Sequence, residues 1–152
     1  MQEVHPWKFG LIMRKMREID AIYRGAAARA NIPEGELAIW LVLLHLEKEC
    51  SQQDICDFFS LPRQTVNSLI ANLRKKGYVC LKPAPNSRNR KLICLTESGR
   101  AFGQQKVAWI FQAEQRVREA ATPEELQMVL SLLEKYIQNF RAEIDAANPT
   151  GE

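Results

Sequence analysis

The chain predicts a mainly α-helical fold with one small β-hairpin wing, an α+β arrangement framed by long helices at both ends. Three observations carry this. Apolar residues recur at three- and four-residue steps through most of the 152 residues. Two β-prone runs, Tyr78–Leu81 and Lys91–Leu95, flank a stretch of turn formers, Pro83–Arg90. Two amphipathic segments within 51–76 meet across almost no linker, Ser60-Leu61-Pro62.

Taken in order, Phe9, Ile12, Met13, Met16, Ile19 and Tyr23 mark a first helix ending near Asn31. Pro33, Glu34 and Glu36 suit the first turn of a second, whose run AIWLVLLHL belongs at the centre of a core. Ser51 reads as an N-cap with acidic Asp54 at the third helical position, opening a short helix through Phe59. Ser60 or Pro62 then opens another. Val66, Leu69, Ile70 and Leu73 form its buried stripe, and Gly77 stands where a helix end wants positive φ. After the hairpin, Thr96-Glu97-Ser98-Gly99 starts one helix through about Glu119. Thr122-Pro123-Glu124-Glu125 starts the last, carrying Leu126, Val129, Leu130, Leu133, Tyr136, Ile137, Phe140 and Ile144. Residues from Asn148 onward are expected to fray. Two helices in tight succession followed by a hairpin make a winged helix-turn-helix. The expected organisation is one domain over 1–152, with the winged part at 34–97 and helical parts at 1–31 and 98–147.

Composition is that of an ordinary globular chain, 46% apolar and 26% charged. The amino terminus lacks the pattern of a signal peptide, and no stretch approaches the length of a membrane span, so the expected location is the cytoplasm. The net charge of +3 conceals a partition. Eight basic residues and no acidic one fall between Leu61 and Lys91, leaving the remaining 13 basic residues against all 18 acids. A localised basic segment attracts polyanions.

With its apolar stripe committed to the core, the helix after Pro62 presents Arg63, Gln64, Thr65, Asn67, Ser68 and Asn72. Amides, hydroxyls and an arginine near a helix start are the groups that read base edges, and the second helix of a helix-turn-helix enters the major groove by its first turns. An ordinary solvated face would mix in Asp and Glu, and this one has none. Arg88 and Arg90 at the hairpin tip are placed to follow a phosphate backbone or enter a minor groove. Expected DNA contacts are therefore Pro62, Arg63, Gln64, Thr65, Asn67, Ser68, Asn72, Arg88 and Arg90. A winged module that binds protein, or DNA without sequence preference, is the alternative.

Catalytic and metal chemistry find little support. P-loop, nucleophile-elbow and zinc-protease signatures are absent, His5 and His45 are far apart, and the four cysteines lack metal-ligand spacing. Cys50, beside a helix start, is the thiol to consider for redox sensing.

The run SQQDICDFFSLPRQTVNSLIANLRKKGYV, a basic wing and then KLICLTESG together resemble the MarR family of bacterial transcription factors. The motif likeness covers Asn31 to Gly103. Its most specific parts are Leu73 with Gly77, and Leu95, Thr96, Glu97 and Gly99 closing the wing. The resemblance implies a homodimer formed by the first and last helices, binding a pseudo-palindromic operator in double-stranded DNA, usually as a repressor, on the nucleoid when bound. It also implies release by a small, often aromatic or phenolic effector in some relatives and by cysteine oxidation in others, with no cofactor. Met13, Met16, Tyr23, Trp40 and Phe111 could line such an effector's cavity, although a methionine and aromatic stripe is more often core. The family's wing carries Asp-x-Arg, whose carboxylate orients the arginine. Here Ser87 and Asn89 stand at those places beside Arg88 and Arg90, so the arginines are expected to work without an orienting carboxylate. The amphipathic end helices exceed what a winged helix alone can cover, which argues independently for a partner copy.

Overall fold

The computed structural model describes residues 7–45, 49–87 and 89–147, with side chains from residue 10 onward. In chain order it contains α1 (Trp7–Ala30), α2 (Glu34–His45), β1 (Cys50–Ser51), α3 (Gln52–Phe59), α4 (Arg63–Lys75), β2 (Val79–Pro83), β3 (Lys91–Leu95), α5 (Glu97–Lys106), α6 (Ala108–Glu119) and α7 (Pro123–Ala147). The mainly helical, winged architecture read from the sequence is the one observed. The chain divides into two compact units, up to Phe111 and from Gln112.

Helix ends follow from local chemistry. Ser51 caps α3 through a full capping box with Asp54. Thr122 and Glu125 exchange the same pair of bonds at α7: Thr122 N–H donates to Glu125 Oε2 (2.8 Å), and Glu125 N–H donates to Thr122 Oγ1 (3.2 Å). Left-handed residues close three other ends: Asn31 (φ 55°) after α1, Ser60 (φ 51°) after α3 and Gly77 (φ 78°) after α4. At the last, Tyr78 N–H reaches back to Leu73 O (3.0 Å) and Gly77 N–H to Arg74 O (2.9 Å), turning the chain directly into the wing.

Three details differ from expectation. The sheet has three strands in the order β1-β3-β2, all antiparallel, because Cys50 and Ser51 pair with Ile93 and Leu92. A two-residue strand ending in a helix cap leaves no alternation to read. The first strand of the hairpin also runs on to Pro83, opposite Lys91. The expected helix through Glu119 breaks at Val107, which is fully buried with φ −119°. There the Trp109 indole N–H donates to Lys106 O (2.9 Å), satisfying a carbonyl near the break.

The core of the first unit centres on Trp40, Ile39, Ile55, Val66, Ile70, Leu73, Ile93 and Val107, all essentially inaccessible to solvent. Trp40 meets Phe102 at 5.1 Å and Tyr78 at 5.6 Å between ring centroids, and Tyr78 stacks on Phe102 at 4.5 Å. Buried Glu36 at the start of α2 accepts from Lys76 Nζ (2.7 Å), tying α2 to the end of α4. In the second unit, α7 has no buried residue. Its Leu126, Val129, Leu130, Ile137, Phe140 and Ile144 are exposed. In the first unit, α1 likewise exposes Leu11, Ile12, Met13, Met16, Ile19 and Ile22. Among the described residues no helix is long and apolar enough to cross a membrane.

The junction of wing and α5 depends on Gly99, where a Cβ would collide with the Tyr78 carbonyl oxygen, 1.9 Å away. Gly99→Ala should therefore lower the unfolding free energy by about 1–3 kcal/mol despite alanine's better helix propensity. Gly25→Ala, in open space on α1, should raise it slightly. Urea denaturation of the two variants checks both signs.

Candidate nucleic-acid interface

α4 is rotated so that Val66, Ile70 and Leu73 are 0%, 1% and 0% exposed. Pro62, Arg63, Gln64, Thr65, Asn67, Ser68 and Asn72 are all exposed, as one continuous polar face. Pro62 holds the N-cap position without a side-chain cap bond, and its carbonyl accepts from Val66 N–H (3.2 Å). The first turn therefore offers backbone N–H groups, and the positive end of the helix dipole, beside Arg63. α3 is the opposite case, since Ser51 and Asp54 already occupy its start.

The wing loop is held by its own backbone. Ala84 N–H donates to Arg90 O (2.8 Å), Asn86 is left-handed (φ 64°), and Arg90 N–H donates to Ser87 Oγ (3.1 Å). Ser87 thus shapes the turn through its hydroxyl and brings no charge to it. Arg88 lies outside the described residues.

Arg90 does have a carboxylate partner, which corrects the expectation. Its Nη2 donates to Asp54 Oδ2 (2.7 Å) and Oδ1 (3.0 Å), 36 residues away in sequence. Asp54 also accepts from Ser51 N–H (2.7 Å) and the Ser51 hydroxyl (2.8 Å). Together these hold its carboxyl below the usual range, the Ser51 backbone bond most strongly, then the Ser51 hydroxyl, with Arg90 adding to them against the opposing effect of burial. Asp54 is the Arg90 partner that sequence reasoning missed. Its capping role was legible, its reach across the fold was not. Between α3, the start of α4 and the wing lies an open groove of about 540 Å³, lined among others by Gln53, Asp54, Arg63, Asn89, Arg90 and Lys91.

The other candidates separate. Trp40 is 0% exposed, and Tyr23 packs against the same core, whereas Met13 and Met16 are 43% and 46% exposed on α1. Phe111 is half-buried, edge-on to His45. Trp40 Nε1 is buried without a hydrogen-bond partner. All four cysteines are free thiols. Cys50 is only 4% exposed, and burial, then Asp54, pushes its thiol up from 9.0 to about 11. That is the reverse of what a sensing thiolate needs. Cys80 and Cys94 face each other across β2 and β3, both half-buried. Among the described residues no group of three or more potential ligands could hold a metal ion.

A three-helix core, a polar second helix and a hydrogen-bonded wing define a winged helix-turn-helix protein. Residues 38–88 match the model of the MarR family, which bears out the resemblance read from the sequence. Solved structures share the fold. A MarR family regulator from Neisseria meningitidis is 17% identical, with a TM-score of 0.77 over 92% of this chain and 98% of that one. A MarR family regulator from Listeria monocytogenes, complexed with a 26mer DNA, is 22% identical, with a TM-score of 0.62 over 100% and 99%. BpsR from Bordetella bronchiseptica, whose DNA binding is regulated by 6-hydroxynicotinic acid, is 21% identical, with a TM-score of 0.61 over 90% and 96%. No curated protein matches the sequence.

Cys50 provides a test of this electrostatic description. Its thiol loses a proton near pH 9 when unfolded and near 11 when folded. Stability conferred by the neutral thiol is present below pH 9 and is lost as pH rises towards 11. Urea midpoints measured from pH 8 to 10.5 should fall more steeply for the parent than for Cys50→Ala. Alkylation at neutral pH should spare Cys50 in the native protein.

Proposed function

We propose that the protein is a DNA-binding regulator of transcription that reads an operator with the exposed face of α4. The observation that carries this reading is that face itself: seven polar, basic or proline residues, no carboxylate, at an uncapped helix start. The likeness to a DNA-bound Listeria regulator supports it. Arg63, Gln64 and Asn67 read bases, Thr65, Ser68 and Asn72 flank them, and Pro62 sets the approach of the first turn. Arg90, with Arg88 at the tip, contacts the phosphate backbone or minor groove.

The regulator acts as a homodimer and represses from a pseudo-palindromic site. The exposed apolar face of α1 and, separately, that of α7 are its dimerisation surfaces, within 1–31 and 98–147. Two copies joined there would set their recognition helices about one DNA turn apart, roughly 34–36 Å. A small aromatic or phenolic effector, the class to which the Bordetella relative's ligand belongs, releases the DNA. The unpartnered indole N–H of Trp40 is the donor such a ligand's oxygen would satisfy. Such a regulator works in the cytoplasm.

Selection from a random DNA pool tests the reading. A two-fold symmetric winner, bound far more tightly than scrambled DNA, is expected, and sequence-blind binding would overturn it. Arg63→Ala and Gln64→Ala should each cost about 1–3 kcal/mol against the selected site and relax specificity at one position. Leu130→Asp should shift the sedimentation coefficient to that of a single chain.

A further inference from the structure

We infer that Asp54 is a positioning residue for DNA binding, holding the Arg90 guanidinium over the groove between α3, α4 and the wing; the inference rests on the DNA-binding reading above. Asp54 sits at the third position of α3, a helix anchored in the core through buried Ile55 and Cys56. Its carboxylate is therefore a fixed point, gripped from one side by the Ser51 N–H and hydroxyl. From the other side it takes Arg90 Nη2 on both oxygens. An arginine on an exposed loop otherwise samples many rotamers, and ordering it at the moment of binding costs entropy. Held by Asp54, Arg90 lines the same groove as Arg63.

Charge explains why the arrangement favours a polyanion. A bare carboxylate in the groove would repel a phosphate, and the paired guanidinium covers it. A guanidinium carries five N–H donors, and the pair engages only Nη2. Donors therefore remain for a phosphodiester, with Arg63 and Lys91 adding positive charge on the same walls. As an ion pair with side chains 54% and 44% exposed, it contributes little to folding, so its effect belongs to binding.

The carboxylate that faces Arg90 comes from α3 rather than from the wing itself, where the Ser87 hydroxyl accepts from Arg90 N–H.

Asp54→Asn separates this role from helix capping, since an amide oxygen still accepts from Ser51 N–H but the charge and second oxygen that hold the guanidinium are gone. Affinity is measured by fluorescence anisotropy for the selected duplex, or for mixed-sequence duplex DNA if selection returns none. Measurements use the full chain with Arg90 intact and with Arg90→Ala. Arg90→Ala should weaken binding about tenfold, and Asp54→Asn should weaken it about three- to tenfold only where Arg90 is present. Amide exchange without DNA adds a second readout: Ala84 and Arg90 N–H should exchange faster in both single variants while α3 amides do not change. Equal effects of Asp54→Asn with and without Arg90, or unchanged wing exchange, would overturn the inference and leave the DNA-binding reading standing. Absence of affinity for any duplex in the parent protein would overturn both.

Discussion

The rotational setting of α4 is the constraint on which the rest depends. Val66, Ile70 and Leu73 are buried almost completely, and each such side chain contributes on the order of 1.5–3 kcal/mol when removed from water. That stripe fixes which residues face out, so the polar face is a consequence of the core rather than an independent feature. It also places the helix end. Leu73 O takes the Tyr78 N–H, Gly77 supplies the left-handed turn, and β2 leaves in the one direction that lets Tyr78 join Trp40 and Phe102. The wing is thereby joined to α4, and Gly99 lets α5 close against the Tyr78 carbonyl. Thr96 completes the joint by donating to Gly77 O (2.6 Å) while accepting from Gly99 N–H (3.0 Å).

Charge is distributed on the same scaffold by a simple division. The described residues between Leu61 and Lys91 carry no acid, and the two carboxylates that reach them come from outside. Glu36 takes Lys76 at the core-facing end of α4. Asp54 takes Arg90 at the wing. One neutralises a lysine where α4 meets α2, and the other organises an arginine where DNA is proposed to pass. The small net charge of +3 is therefore a poor guide to the field that a ligand meets at close range.

Much of this was legible in the sequence because it is written at short range. The Ser51–Asp54 and Thr122–Glu125 caps, the α4 stripe and the Gly77 turn each depend on residues within one or two turns of each other. Contacts over long separations were not legible. Cys50–Ser51 becomes a strand only because β3 arrives beside it. The break at Val107 depends on where the core ends, and no helix-breaking residue marks it. The Asp54–Arg90 pair joins residues 36 apart whose local roles, cap and loop cation, fully account for them until the fold brings them together. Cys50 misled for the same reason, since proximity to a helix start implies a reactive thiol only when solvent and cations reach it, and here burial and Asp54 act against it.

The end helices follow a different energetics from the winged centre. α7 spans 25 residues without one buried side chain, while Leu130 is 61% exposed and Phe140 55%. Most helical stability in proteins comes from packing an apolar face rather than from propensity. An uncovered face of this length is also larger than monomeric surfaces ordinarily expose. In the proposed dimer, the same face of a second copy would meet both requirements, and the helix would be stabilised by its association. Folding of the ends and association would then be one equilibrium, governed by mass action. The winged part has a core of its own around Trp40, Val66, Ile70 and Leu73. In the proposed dimer, assembly would decide whether two α4 faces are presented together, which would make association a point at which DNA binding is controlled.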